Sequence, residues 1–181
     1  MSGLDVQQLG VYVIRPTLAA LAVAVPGIDG AVAEALLLAT AAQESQFRDL
    51  RQLGVREGVG AYGLWQMERA TEQDTLRRIS GRAWLVLRKT MVPETTGGAI
   101  VGAVETGDQL IWNLAYACAI ARMKYWLDPE PLPTIIDPGA LWPTYKRVWN
   151  TAGGAATVGR FLSNYATLVA PHWPPPGEAH A

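Results

Sequence analysis

The stretch AVAEALLLATAAQES, residues 31–45, is apolar on nearly every side when wound into a helix. A surface helix needs a wet face, and this one has none, so other elements must enclose it. The chain has 181 residues, half of them apolar, which suffices for one domain built around such a helix. Helical spacing puts Ala33, Leu37, Ala41 and Glu44 on one stripe. The helix therefore ends by continuing an apolar face into a carboxylate.

Helix signals dominate the rest of the chain. A first helical region is expected from about Asp5 to Val25, kinked or restarted near Pro16 and stopped at Pro26-Gly27. Asp29 stands where an N-cap for the next helix belongs. Between residues 48 and 66, Gly54, Gly58, Gly60 and Gly63 punctuate short β-like pieces, the pattern of a small hairpin or extended loop. Thr71-Glu72-Gln73-Asp74 reads as a capping-box variant, and a helix over 82–91 follows. Pro93 to Gly107 reads as a mobile loop, and 108–127 as the longest helix. Asp137-Pro138 starts another helix, running to about Trp149, and 155–169 forms the last. The fold class is mainly α, one domain over residues 1–170, with a flexible Pro-rich tail over 171–181.

Composition removes several kinds of chemistry. Charged residues are 17% of the chain and the net charge is −1, so a nucleic-acid surface or polybasic membrane patch is not expected. Cys118 is the only cysteine, which excludes an intrachain disulfide and a thiolate metal cage. His172 and His180 both lie in the last ten residues, which argues against a histidine triad or metal site; no cofactor is expected. The apolar run Leu18 to Val25 is too short to span a bilayer. With Ala31-Val32-Ala33 it has the outline of a signal-peptide core and cleavage site, but cleavage there would sever the central helix, so no export signal is expected.

Carboxylates, aromatics and amides are what remain. A carboxyl on an apolar face at a helix C-terminus has its charged form disfavoured by burial and by the helix dipole. An acid still protonated near neutral pH is what glycoside cleavage needs, although a solvated helix-ending glutamate is the commoner reading of the helix alone. Residues 58–71, GVGAYGLWQMERAT, add close-approach glycines to Tyr62, Trp65 and Gln66. Flat aromatics suit the apolar faces of sugar rings, and an amide both donates to and accepts from an N-acetyl group.

ESQF at 44–47 followed by GAYGLWQMERAT at 60–71 resembles the lytic transglycosylase and goose-type lysozyme superfamily, whose members carry E-S-x-F and then G-A-x-G-L-M-Q-x-x-P-x-T. NLAYACAIARM from Asn113 is similar to the family's N-L-x-x-G-x-x-Y-L helix, with Ala117 and Ile120 in place of its glycine and tyrosine. YKRVWNTAGG resembles its A-Y-N-x-G segment. The match spans about residues 30–155, and Met67-Glu68-Arg69 lacks the usual proline.

The resemblance implies a lysozyme-like fold and cleavage of the N-acetylmuramic acid–N-acetylglucosamine bond of peptidoglycan strands, with Glu44 as the catalytic acid. It implies substrate contacts from Ser45, Gly63, Leu64, Trp65 and Gln66, joined by Tyr62, Trp149 and Asn150. Tyr145 is the alternative source of a tyrosine hydroxyl in the cleft. It also implies a phage or prophage protein, carried in a virion with other virion proteins or released from the host cytoplasm to the wall. Asp49, Glu57 and Glu68 are the candidate second acids. Glu57, in REGVG, has the loop position to face Glu44, or is simply a solvated loop acid. Trp112, Trp126, Trp142 and Tyr116 read as core aromatics, and Cys118 as a small buried apolar residue. A non-catalytic virion component that keeps the fold, and a helical scaffold with no glycan site, are the rival readings.

Overall fold

The computed structural model describes residues 3–56, 59–90, 106–151 and 154–173. The described chain is mainly helical, with one two-stranded sheet. The first helical region is continuous: α1 (Val6–Leu9), a turn of π-helix (Gly10–Ile14) and α2 (Arg15–Ala22). Pro16 explains the wide turn. It has no N–H to give to the carbonyl four residues back, and its ring crowds that carbonyl, so the ladder loosens just before it.

Helix α3 (Ala31–Glu44) is enclosed as its composition demands. It packs against the helices Leu114–Trp126, Pro138–Tyr145 and Val158–Asn164 and the π-helical turns Gly10–Ile14 and Tyr165–Val169. Leu36, Leu37 and Leu38 are each at most 1% exposed, and each contributes about 1.5–3 kcal/mol on burial. The polar side chains it buries are matched. Arg15 reaches Glu34 at 2.9 Å, the Thr40 hydroxyl donates to the Leu36 carbonyl and shares a 2.7 Å hydrogen bond with the Tyr125 hydroxyl, and Asn164 donates to Gln43 at 2.9 Å. Its N-cap is Gly30, not Asp29: the entry turn needs φ of 105°, which glycine adopts freely.

The hairpin is short. β1 (Ala61–Tyr62) pairs antiparallel with β2 (Met67–Glu68), Tyr62 opposite Met67, and Arg51 bridges to Tyr62 on the other side. Helix α4 (Arg69–Arg78) starts two residues before Thr71, with Glu68 as an N-cap that makes no side-chain bond. The expected capping box does not form, because Glu72 is buried and accepts from the Tyr116 hydroxyl at 2.6 Å. Helix α5 (Gly81–Thr90) follows.

The long helix expected over 108–127 is two: α6 (Thr106–Trp112) and α7 (Leu114–Trp126). Asn113 breaks it, its side chain accepting from the Tyr116 amide as a cap while its backbone leaves the helical region. Asp137 caps α8 (Pro138–Tyr145) as its sequence predicts, and the helix continues as a π-helical turn, Lys146–Asn150. Helix α9 (Val158–Asn164) ends in another, Tyr165–Val169. Tyr116 and Cys118 are core, but Trp112 and Trp126 are 48% and 42% exposed, against expectation. Each ends its helix, where the core stripe has already turned away.

Trp173 packs onto the N-terminal helical region, so the tail does not leave the body at residue 171. Its ring fills the space a Cβ on Gly10 would need and lies 4.4 Å from the Arg15 guanidinium. The loop expected over 93–107 lies for the most part outside the described residues, as do Glu57 and residues 174–181. Among the described residues no helix is long and apolar enough to cross a membrane.

Candidate active site

Helix α3 ends at Glu44 because the next residues reverse the chain. Ser45 donates to the Ala41 carbonyl and accepts from the Phe47 amide. Gln46 and Phe47 both take left-handed backbone angles, φ of 51° and 58°. The carboxylate projects, partly buried, towards the end of α8, where the Tyr145 hydroxyl donates to its Oε1 at 2.6 Å. Burial is the largest influence on Glu44 and raises its pKa above the usual carboxylate value. The Tyr145 hydrogen bond, Lys124 and Arg160 oppose that shift without cancelling it. Burial and the neighbouring carboxylate push the Tyr145 phenol upwards, so it remains a donor throughout the ordinary pH range.

One turn beyond Tyr145, on the same helical run, stands a second aromatic. Trp149, on the π-helical turn after α8, is 9% exposed and stacks on Tyr125 with ring centroids 5.4 Å apart. The Lys124 ammonium lies 4.2 Å from the centre of the same Trp149 ring. Burial lowers the Lys124 pKa to about 8, while Glu44 and Glu68 both act to raise it. Glu68, exposed on β2, thus brings a second acid within electrostatic reach of the ammonium that Glu44 feels. Tyr145 is held in turn, stacked on Phe161 at 4.9 Å and tilted against Trp142 at 5.7 Å. The hydroxyl that meets Glu44 sits on a ring with little freedom.

Several residues expected to touch substrate also hold the fold together. Ser45 is 2% exposed and its hydroxyl closes the helix end. Leu64 and Trp65 are 2% and 1% exposed, and the Trp65 indole donates to the Leu37 carbonyl at 3.0 Å, so both belong to the core. Gly63 has φ of 72°, and a Cβ there would collide with the Leu110 carbonyl oxygen. It is a close-approach glycine, and the backbone that approaches is that of α6. The Gln66 amide nitrogen donates to the carbonyls of Asp49 and Gly63, and so fixes the hairpin to the segment after Glu44. The Asn150 side-chain oxygen Oδ1 accepts from the Lys146 ammonium and from the Ala156 amide, tying down the loop before α9.

Tyr62 differs from these. It is 3% exposed, with Arg51 and Arg69 guanidiniums near its ring, yet its hydroxyl has no hydrogen-bond partner among the described residues. The arrangement that remains around Glu44 is a short one: Tyr145, Lys124 and Trp149, with Arg160 in electrostatic reach. Lys124 and Arg160 escaped the sequence reading. The signal for Lys124 was an ammonium in the last turn of a helix made mostly of apolar residues; Arg160 gave none. No family model, curated protein or solved structure matches the chain.

Proposed function

We propose that the protein is a peptidoglycan glycosidase with a lysozyme-like fold, acting on the β-1,4 bond between N-acetylmuramic acid and N-acetylglucosamine. The observation that carries this reading is Glu44: an acid at the end of the buried helix, desolvated, with its Oε1 held by the Tyr145 hydroxyl at 2.6 Å. An acid whose pKa is raised keeps its proton into the range where a general acid must deliver it. The protonated Glu44 gives its proton to the glycosidic oxygen as the bond to C1 breaks, and the leaving sugar departs as a neutral alcohol. Glu44, now a carboxylate, accepts the proton from the nucleophile that closes on C1.

That nucleophile is the muramic C6 hydroxyl in a transglycosylase and water in a lysozyme. Single-carboxylate chemistry, giving a 1,6-anhydro product, is the reading we favour. Tyr145 aims the carboxylate. The sequence resemblance points to a phage or prophage source, with delivery to the wall from a virion or from the host cytoplasm.

A second reading keeps a specific observation on its side. Ser45, Leu64, Trp65, Gln66 and Asn150 serve the fold, which leaves few groups to hold a glycan. A non-catalytic virion component, binding glycan or joining other virion proteins, would need no more. Incubation of the protein with peptidoglycan beside Glu44→Gln, with the soluble muropeptides weighed by mass spectrometry, separates the two. Release that is lost in the variant is the expected result, and the product mass distinguishes anhydro from hydrated ends. Equal binding without release by both proteins would establish the non-catalytic reading.

A further inference from the structure

Lys124 is a costly residue to place where it is. It projects from the last turn of α7 into a partly buried position against the Trp149 face, 4.2 Å from the ring centre. Trp149 is itself backed by Tyr125, and Tyr125 by Thr40 on the central helix. This stack limits where the ammonium can go. Trp149 stands one turn after Tyr145, whose hydroxyl holds Glu44, and Thr40 stands one turn before Glu44 on α3, so ammonium and carboxylate share one neighbourhood, where Glu44 and Glu68 both act on Lys124. A lysine wanted only for solubility would sit on a wet face and need no aromatic support.

We propose that Lys124 is a positioning residue for the reaction at Glu44, its ammonium supplying the counter-charge that the carboxylate needs after it has given its proton to the glycosidic oxygen. The role rests on the glycosidase reading. A buried acid that resists ionising is a good reservoir of protons but a poor donor, because the anion left behind is stranded in a dry site. A fixed cation nearby stabilises that anion and makes the second half of the reaction accessible, in which the carboxylate waits for a proton from the nucleophile. Lys124 titrates near 8, so it is charged at neutral pH, when the anion forms.

The charged and titratable groups around Glu44 are few enough to separate their effects. Lys124 and Tyr125 face it from α7, Tyr145 from α8 and Arg160 from α9, and Glu68 faces Lys124 from the hairpin. Arg160 is exposed and screened by water, whereas Lys124 is partly buried, so Lys124 carries the larger share of the cationic effect.

The test combines turnover with a direct titration of the Glu44 carboxyl by 13C NMR, in wild-type protein, Lys124→Met and Lys124→Arg. Methionine keeps a long apolar chain on Trp149 and removes the charge; arginine keeps the charge. In Lys124→Met the Glu44 midpoint and the alkaline limb of kcat/KM for muropeptide release should both rise by up to about 1 pH unit, less than on loss of the Tyr145 hydrogen bond, which acts on Glu44 more strongly than Lys124 does. Its kcat should fall about tenfold or more with KM changed far less, and arginine should restore both. In the wild type alone, the Glu44 resonance should show a second, smaller inflection near pH 8, where Lys124 loses its proton, and this needs no variant to fold. The same Glu44 midpoint in wild type and Lys124→Met, or no second inflection, would overturn the proposal. So would a shifted midpoint with an unchanged kcat. A wild type that releases no muropeptide while its Glu44 midpoint still responds to Lys124 would refute the glycosidase reading, and the reaction role with it, yet leave the pairing intact.

Discussion

Replacing Tyr145 by phenylalanine removes one hydroxyl from the site and little else. The ring that remains keeps its stack on Phe161 at 4.9 Å and its tilted contact with Trp142 at 5.7 Å. What is lost is the 2.6 Å hydrogen bond to Glu44, which favours the ionised carboxylate. A hydrogen bond to a charged group contributes about 1.5–3 kcal/mol. At about 1.4 kcal/mol per pKa unit, its removal should raise the Glu44 pKa by roughly 1–2 units above an already raised value. The alkaline limb of kcat/KM, which reports loss of the acid proton, should therefore move up by the same amount. Turnover at the optimum should fall, because a carboxylate without its phenol is aimed less well. The measurement is a pH–rate profile on solubilised glycan strands for both proteins, with thermal unfolding as a check on the fold. A limb that stays in place, or moves down, would show that the phenol does not act on the ionised form and would refute this account of the site.

Three further outcomes follow from the same geometry. Glu34, buried beside Arg15, titrates near 7 in the folded protein against about 4.5 unfolded, so its stabilising contribution is complete below pH 4.5 and lost as pH rises through 7. The stability of wild type relative to Glu34→Gln, from urea melts, should accordingly fall across that window, and a difference that is flat or rises with pH would contradict it. Gly63→Ala puts a methyl against the Leu110 carbonyl in a left-handed backbone, and it should destabilise by about 2 kcal/mol or more in the same melts. Trp65→Phe leaves the buried Leu37 carbonyl without the indole donor and should cost about 1–3 kcal/mol, seen as a lowered midpoint of thermal unfolding.

The enclosed helix was legible in the sequence because its apolar residues leave no side for water, and no arrangement of neighbours can change that. Asp137-Pro138 was legible for a similar reason: a cap side chain and a proline act through local geometry alone. Asp29 and the Thr71 capping box misled because the same residue types compete with tertiary demands. Gly30 supplies a backbone angle that no other residue adopts as easily, and Glu72 is drawn inward by the Tyr116 hydroxyl. At the site, Glu44 could be singled out by its place at the end of an apolar stripe, and Tyr145 through the resemblance carried by YKRVWNTAGG. The roles of Trp65 and Gln66 could not, since an aromatic and an amide that close a fold look the same in a sequence as two that line a cleft. Lys124 was missed because its meaning comes from Trp149 and Glu44, which are distant in sequence and adjacent only after folding.

The left-handed pair at Gln46 and Phe47 has a consequence for how such an acid is presented. Each residue gives up about 1–2 kcal/mol in that backbone region, and a glycine at either place would avoid much of the loss. Phe47 is nevertheless 3% exposed, and its carbonyl accepts from the Leu4 amide at 2.9 Å, so packing recovers what the bend forfeits. The anchor for the acid is thus an aromatic three residues downstream, and the spacing between them is a mechanical dimension. One residue inserted between Glu44 and Phe47 would force either the helix end or the Phe47 seat out of place while leaving both side chains chemically unaltered.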